Sequence, residues 1–213
     1  MSGGLGYRVV TVAREYGSGG AAIAAKVAHL IGYELLDRAL IERIAAAAHV
    51  DRGTAERLDE QVERWAARLG RALWYGGIDA VAPVDRDGVV DADRMAVLAR
   101  RVIEEAADVG GCVIVGRGAQ CVLRERSDTF NVFVYASIPN RIERLRRRLG
   151  ETADVEQVIE AMDRERSAYV RRYFSQSWLD PRLYDLMVNA AIGEDAAAAA
   201  IRTALQTAVL RPA

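Results

Sequence analysis

The strongest constraint on this chain is a glycine run set between two segments of opposite local preference. Arg8-Val9-Val10-Thr11-Val12 is a β-branched run, Gly17-Ser18-Gly19-Gly20 follows it, and Ala21 to Ile31 then continues without a helix breaker. The order reads strand, loop, helix. Backbone N–H groups at such a helix start converge on an anion, and the helix dipole adds to the attraction. A Gly-Ser-Gly-Gly run alone also makes an ordinary turn; its position between strand and helix is what points to phosphate.

The remaining chain repeats the alternation. Tyr33-Glu34-Leu35-Leu36 predicts a second strand ending at Asp37-Arg38, and Ala39 to Ala48 carries helical periodicity. Thr54 to Leu73 is a charged amphipathic stretch, Trp74 to Gly88 reads as a loop with Gly76-Gly77 and Pro83, and Asp91 to Val109 reads as a helix. Buried-strand patterns resume at Cys112-Val113-Ile114-Val115 and at Phe130 to Tyr135, the latter followed by a helix with Pro139 in its first turn and its end at Leu149. A charged helical region at Asp154 to Phe174, a short strand at Asp185 to Val188 and a helix from Ala196 to Leu210 complete the pattern. Parallel strands need long crossovers, so the expectation is an α/β fold: a three-layer α/β/α arrangement on a parallel sheet of about five strands.

A chain of 213 residues with 51% hydrophobic content suffices for one sizeable core with insertions. The net charge of −1 exerts no global pull toward nucleic acid or a membrane, so an anionic partner would be read by a local site. Neither a signal peptide nor a run of ~18 apolar residues is evident. Cys112 and Cys121 lack metal or redox spacing and read as small core residues, which favours a reducing, cytoplasmic setting. His29 and His49 read as ordinary helix residues.

The loop departs from G-x-x-x-x-G-K-[ST]. With the second glycine at Gly19, Arg14 stands at the first glycine, Gly20 at the lysine and Ala21 at the hydroxyl. Lys26, the only lysine, lies six residues beyond Gly20, roughly 9 Å along a helix, and reads as a surface residue. Arg14 is the better substitute, because a guanidinium leaving the strand at the loop's start can fork onto phosphate oxygens; pairing with Glu15 or Asp37 is the structural alternative.

Several segments carry a family resemblance. Ala13-Arg14-Glu15-Tyr16-Gly17-Ser18-Gly19-Gly20 resembles the S-R-E-Y-G-S-G-G signature of the cytidylate kinase-like family of nucleoside monophosphate kinases. Asp37-Arg38-Ala39-Leu40-Ile41 is similar to its D-[RK]-x-L-I segment, and Val113 to Ala119 to its buried strand and G-R-G turn. Arg141-Ile142-Glu143-Arg144, Asp163-Arg164-Glu165-Arg166 and the segments from Trp178-Leu179-Asp180-Pro181 to Tyr184-Asp185-Leu186 extend the match.

The resemblance implies a single P-loop kinase-type domain with its core at about 7–36, 110–148 and 179–213. A helical, acceptor-binding insertion would span about 37–109 and an arginine-rich lid about 149–178. It implies ATP, with Mg2+ brought by the nucleotide and no protein metal ligand, and a nucleoside monophosphate as acceptor, CMP or dCMP first. Gly17, Ser18, Gly19, Gly20 and Ala21 would hold the nucleotide phosphates; Arg14, Arg166 and Arg141 would act on the transferring group. Asp37, Arg38, Arg117 and Asp163 would face the acceptor, with Asp37 alternatively a helix N-cap and Asp163 alternatively orienting an arginine. A non-catalytic nucleotide sensor and a kinase for another small acceptor stay open, as does a homodimer through the apolar side of Thr54–Leu73. Tyr16, Trp65, Trp74, Trp178 and Tyr184 are expected in packing, without a base-binding role.

Overall fold

A computed structural model describes residues 6–37, 39–40, 42–44, 92–149 and 155–209. Arg38, Trp65, Trp74, the expected helix Thr54–Leu73 and the expected loop Trp74–Gly88 lie outside the described residues. Five strands form one sheet: β1 (Val9–Arg14), β2 (Glu34–Leu36), β3 (Cys112–Val115), β4 (Thr129–Tyr135) and β5 (Leu186–Asn189). Their order is β2-β3-β1-β4-β5, and every neighbouring pair is parallel.

Side chains alternate between the two faces, as strand geometry requires. Val10 and Val12 of β1, Val113 and Val115 of β3 and Val132 and Val134 of β4 share one apolar cluster with Ile23 and Val27, which belong to helix α1 (Gly20–Ile31). Cys112 and Ile114 face the other way, against Leu98, Val102 and Ile103 of helix α2 (Ala92–Val109). Leu40 and Ile44, one turn apart in the helical residues after β2, pack on that second face. Both faces are therefore covered, and each fully buried Val, Ile or Leu contributes roughly 1.5–3 kcal/mol against exposure.

Helix α3 (Ala119–Val122) follows β3, α4 (Ile138–Leu149) follows β4, α5 (Val155–Phe174) comes next, and α6 (Glu194–Thr207) closes the described chain. Sequence periodicity misses α3, because four residues are too short to show a helical face. Phe133, on the second face of β4, packs in a third cluster with Val170 of α5, Trp178, Leu183 and Tyr184. A fourth joins Tyr16 to Leu145 of α4 and to Val155, Ile159 and Met162 of α5. These two clusters press α4 and α5 against the loop that follows β1.

The sheet order decides where a site forms. β1 is flanked by β3 on one side and β4 on the other, and the chain crosses over β1 between them, which makes the carboxyl end of β1 a topological switch point. Both glycine turns, at 17–20 and at 116–118, leave the sheet there. Among the described residues no helix is long and apolar enough to cross a membrane.

Candidate functional site

The loop after β1 is built on two left-handed glycines. Gly17 has φ 78° and Gly19 φ 85°, a region costly for residues with a Cβ. The Ser18 hydroxyl points inward: it donates to the Glu15 carbonyl at 2.9 Å and accepts the Gly20 N–H at 3.3 Å. Ile23 is the first residue of α1 whose N–H makes a helical backbone bond, to the Gly19 carbonyl at 3.1 Å. The Ala21 and Ala22 N–H groups precede it and are open donors of the first turn. Ser18 thus shapes the loop, and the loop offers backbone N–H groups where a standard P-loop would also offer lysine and hydroxyl side chains.

Arg14 ends β1. Its stem passes Gly20 so closely that a Cβ there would stand 2.5 Å from the Arg14 Cβ, and its guanidinium lies against Gly116 at the end of β3. Arg117 follows with a left-handed backbone, φ 58°. Arg166 reaches in from α5, donating from Nη1 to the Arg14 carbonyl at 2.7 Å, with its Cζ 5.5 Å from the Tyr16 ring centroid. The three guanidiniums line one small cavity of about 60 Å3 with Gln120, Tyr169 and Trp178. Ligand sites for whole small molecules run to hundreds of Å3, so this space is too small for a whole nucleotide.

The electrostatics are those of a cation cluster. Burial, then the neighbouring Arg14 charge, pushes Arg117 down to about 10; burial, then Arg14, with a further push from Arg117, takes Arg166 down to about 9. Burial also lowers Arg14, with Asp37 opposing. Asp37 and Asp163, the latter 4.0 Å from Arg166, offset only part of this charge. Gathering like charges in a half-buried cleft is unfavourable until an anion enters.

Of the residues nominated from sequence, Arg14, Arg117 and Arg166 line this cleft, and Asp37 is close enough for its charge to be felt by Arg14 and Arg117. Gly17–Ala21 form the adjoining loop. Arg141 and Asp163 lie behind the loop, where with Glu15 they line a second cavity of about 540 Å3. Arg141 is 2% exposed and pairs with Asp163 at 2.6 Å and Glu15 at 3.1 Å. Asp163 also accepts the Tyr16 N–H at 2.8 Å, and Glu15 accepts the Ala136 N–H at 3.0 Å. This triad, with Arg141 buried and the two carboxylates partly exposed, fastens β1's loop to α4 and α5; burial raises the Asp163 carboxyl, opposed by the Tyr16 N–H and by Arg141.

Tyr169 and Gln120 line the cleft without having been singled out from sequence. Tyr169 stands three residues after Arg166 on α5, so helical spacing from that arginine was the available signal. Gln120 sits in α3, where no periodicity announces a face. Trp178 and Tyr184 pack on Phe133 with ring centroids 5.3 and 5.0 Å apart, which is core packing. Lys26 pairs with Asp195 at 2.6 Å on the surface.

Comparison with known proteins agrees with this architecture. A family model described as "Cytidylate kinase-like family" matches residues 9–192. No curated protein matches the chain. Among solved structures, an uncharacterized protein from Eubacterium ventriosum ATCC 27560 superposes with TM-score 0.66 at 19% identity, covering 94% of this chain and 99% of its own. Shikimate kinase from Bacteroides thetaiotaomicron gives TM-score 0.53 at 12% identity over 93% and 98% of the two chains. Shikimate kinase from Acinetobacter baumannii, solved in complex with shikimate, gives 0.51 at 15% over 95% and 96%. At such identities the likeness is one of fold.

Proposed function

The chain belongs to the cytidylate kinase-like family, and we propose that it transfers a phosphoryl group from ATP to a nucleoside monophosphate, CMP or dCMP first, without a P-loop lysine. The observation that carries this reading is the convergence of Arg14, Arg117 and Arg166 on one small cleft beside the glycine loop. Phosphoryl transfer asks for placed positive charge more than for covalent chemistry, and three forked guanidiniums supply it.

In this reading the Gly17–Ala21 backbone and the start of α1 hold the donor's phosphates, and Arg117 holds the acceptor's phosphate. Arg14 and Arg166 face the oxygens between the two. An acceptor phosphate oxygen attacks the terminal phosphorus of ATP, the bond to the bridging oxygen breaks, and ADP leaves with that electron pair. Asp37 and Arg38 follow β2 and would meet the acceptor nucleoside, with residues 37–109 as its lobe and 149–178 as the lid. The donors present suit phosphate; Mg2+ would arrive on the nucleotide's own oxygens, since Ala21 replaces the usual hydroxyl and Ser18 is turned to Glu15. Arg141 and Asp163 act behind the loop, holding its shape.

A second reading rests on that same inward Ser18 and absent lysine: a nucleotide sensor that binds through the loop backbone without turnover. Purified protein mixed with ATP, Mg2+ and each of CMP, dCMP, UMP and AMP separates the two. Acceptor-dependent ADP formation that disappears in Arg14→Ala is the expected result. Nucleotide binding with no ADP formed above a blank lacking acceptor would sink the kinase for these acceptors and leave the sensor.

A further inference from the structure

The cation nearest the outer face of the glycine loop is neither Arg14 nor Lys26. Arg14 carries its guanidinium away to Gly116, and Lys26 is held on the surface by Asp195. Arg144 of α4 is the residue that lies over the loop. A Cβ on Gly19 would stand 2.7, 2.9 and 3.0 Å from its Cζ, Nη1 and Nη2, so the guanidinium lies nearly flat on the glycine with its N–H groups directed sideways. Its Nη1 is engaged by Glu194 Oε1, at the first residue of α6. The pair is partly open to solvent, with side chains 39% and 27% exposed.

The pair has the properties of an exchangeable contact. Glu194 sits in the first turn of α6, where a carboxylate is favourable without any cation, so losing Arg144 does not strand it. Arg144 in turn is a fork that a phosphate chain satisfies better than one carboxylate oxygen does. Gly19 leaves it room to lie against the loop, next to the two positions where lysine and hydroxyl are missing.

Building on the donor site proposed above, we propose that Arg144 binds the phosphate chain of the nucleoside triphosphate, and that Glu194 is an internal competitor which holds Arg144 while the loop is empty. Nucleotide binding then includes the transfer of Arg144 from Glu194 to phosphate. A merely structural ion pair would respond differently, because Arg144→Ala would then leave the affinity for tripolyphosphate unchanged.

The test is calorimetric affinity for ATP, inorganic tripolyphosphate, adenosine and CMP, measured on the wild-type chain and on Arg144→Ala, Arg144→Lys and Glu194→Gln. Melting curves and CMP affinity verify that each variant is folded. Arg144→Ala is expected to weaken ATP and tripolyphosphate alike by about tenfold or more, with Arg144→Lys intermediate. Glu194→Gln is expected to tighten both by about two- to fivefold, as release from a partly exposed ion pair allows. Loss of adenosine binding in Arg144→Ala with tripolyphosphate unchanged would assign Arg144 to the base and overturn the proposal. So would unchanged or weakened ATP affinity in Glu194→Gln, while wild-type ATP binding and turnover left the kinase reading standing. A wild-type chain that binds CMP but neither ATP nor tripolyphosphate would overturn the donor site itself, and this proposal with it.

Discussion

At the scale of single residues, Arg117 is where site chemistry opposes stability. Its backbone is left-handed at φ 58°, which costs a residue with a Cβ about 1 kcal/mol, and its charge is disfavoured by burial and by Arg14. Glycine there removes both penalties, along with the weaker favourable charge contacts to Tyr169 and Asp37. Arg117→Gly is therefore expected to raise the thermal midpoint by about 2–4 °C, the shift that roughly 1 kcal/mol gives in a chain of this size. Its affinity for inorganic phosphate should fall about tenfold or more, because a charge-assisted fork is lost. Melting curves and calorimetry on one preparation check both signs; a lower midpoint with phosphate affinity intact would show that Arg117 supports the turn and does not serve the ligand. Sequence made this arginine visible through its G-R-G setting, but its left-handed backbone depends on how β3 meets α3 and has no local signature.

At the scale of elements, α5 divides its side chains between two duties. Asp163 looks behind the loop, whereas Arg166, Tyr169 and Val170 line the cleft. The sequence places all four on one charged helix, and Asp163-Arg164-Glu165-Arg166 reads as a lid motif; which face meets the loop follows from tertiary packing on Leu145 and Phe133. Arg141 illustrates the limit. As a member of an arginine-rich helix it reads as a phosphate contact, yet its place between Glu15 and Asp163 is set by residues more than twenty positions away in either direction. The five strands and their parallel pairing, by contrast, follow from the alternation of apolar runs and helices and are readily legible, whereas the order β2-β3-β1-β4-β5 has no local signature. Asp163→Ala leaves the buried Arg141 with Glu15 alone and removes the acceptor of the Tyr16 N–H, so a loss of about 3 kcal/mol is expected, some 6–12 °C in midpoint. Asp163→Asn keeps an acceptor for Tyr16 and should fall between. Wild-type stability in Asp163→Asn together with lost acceptor affinity would move Asp163 from behind the loop to the acceptor.

At the scale of the molecule, the candidate site lies at one end of the sheet and a closed core at the other. The strands' carboxyl ends carry the glycine loop and the arginine cleft, while the opposite end is closed by Tyr7, whose hydroxyl donates to the Val209 carbonyl at 2.8 Å, close to where Leu205 of α6 packs in the first core cluster. Phe133 belongs to the end that carries the cleft. It is 1% exposed and supports Val170 and Trp178, both of which line the cleft, so the core there is also the wall of the site. Close-packed interiors pass strain to what rests on them, and a cavity under α5 should loosen Arg166 as well as lower stability. Phe133→Ala is expected to cost about 3–5 kcal/mol and to weaken inorganic phosphate binding severalfold at a temperature where the variant is fully folded. Leu205→Ala, with a comparable penalty of about 2–5 kcal/mol, is expected to leave phosphate affinity unchanged, because its cavity opens at the far end of the sheet. Denaturant midpoints and calorimetric phosphate titrations on the two variants check this directly. Equal loss of phosphate affinity in both would mean that the cleft tracks global stability, with no dependence on the wall that Phe133 supports.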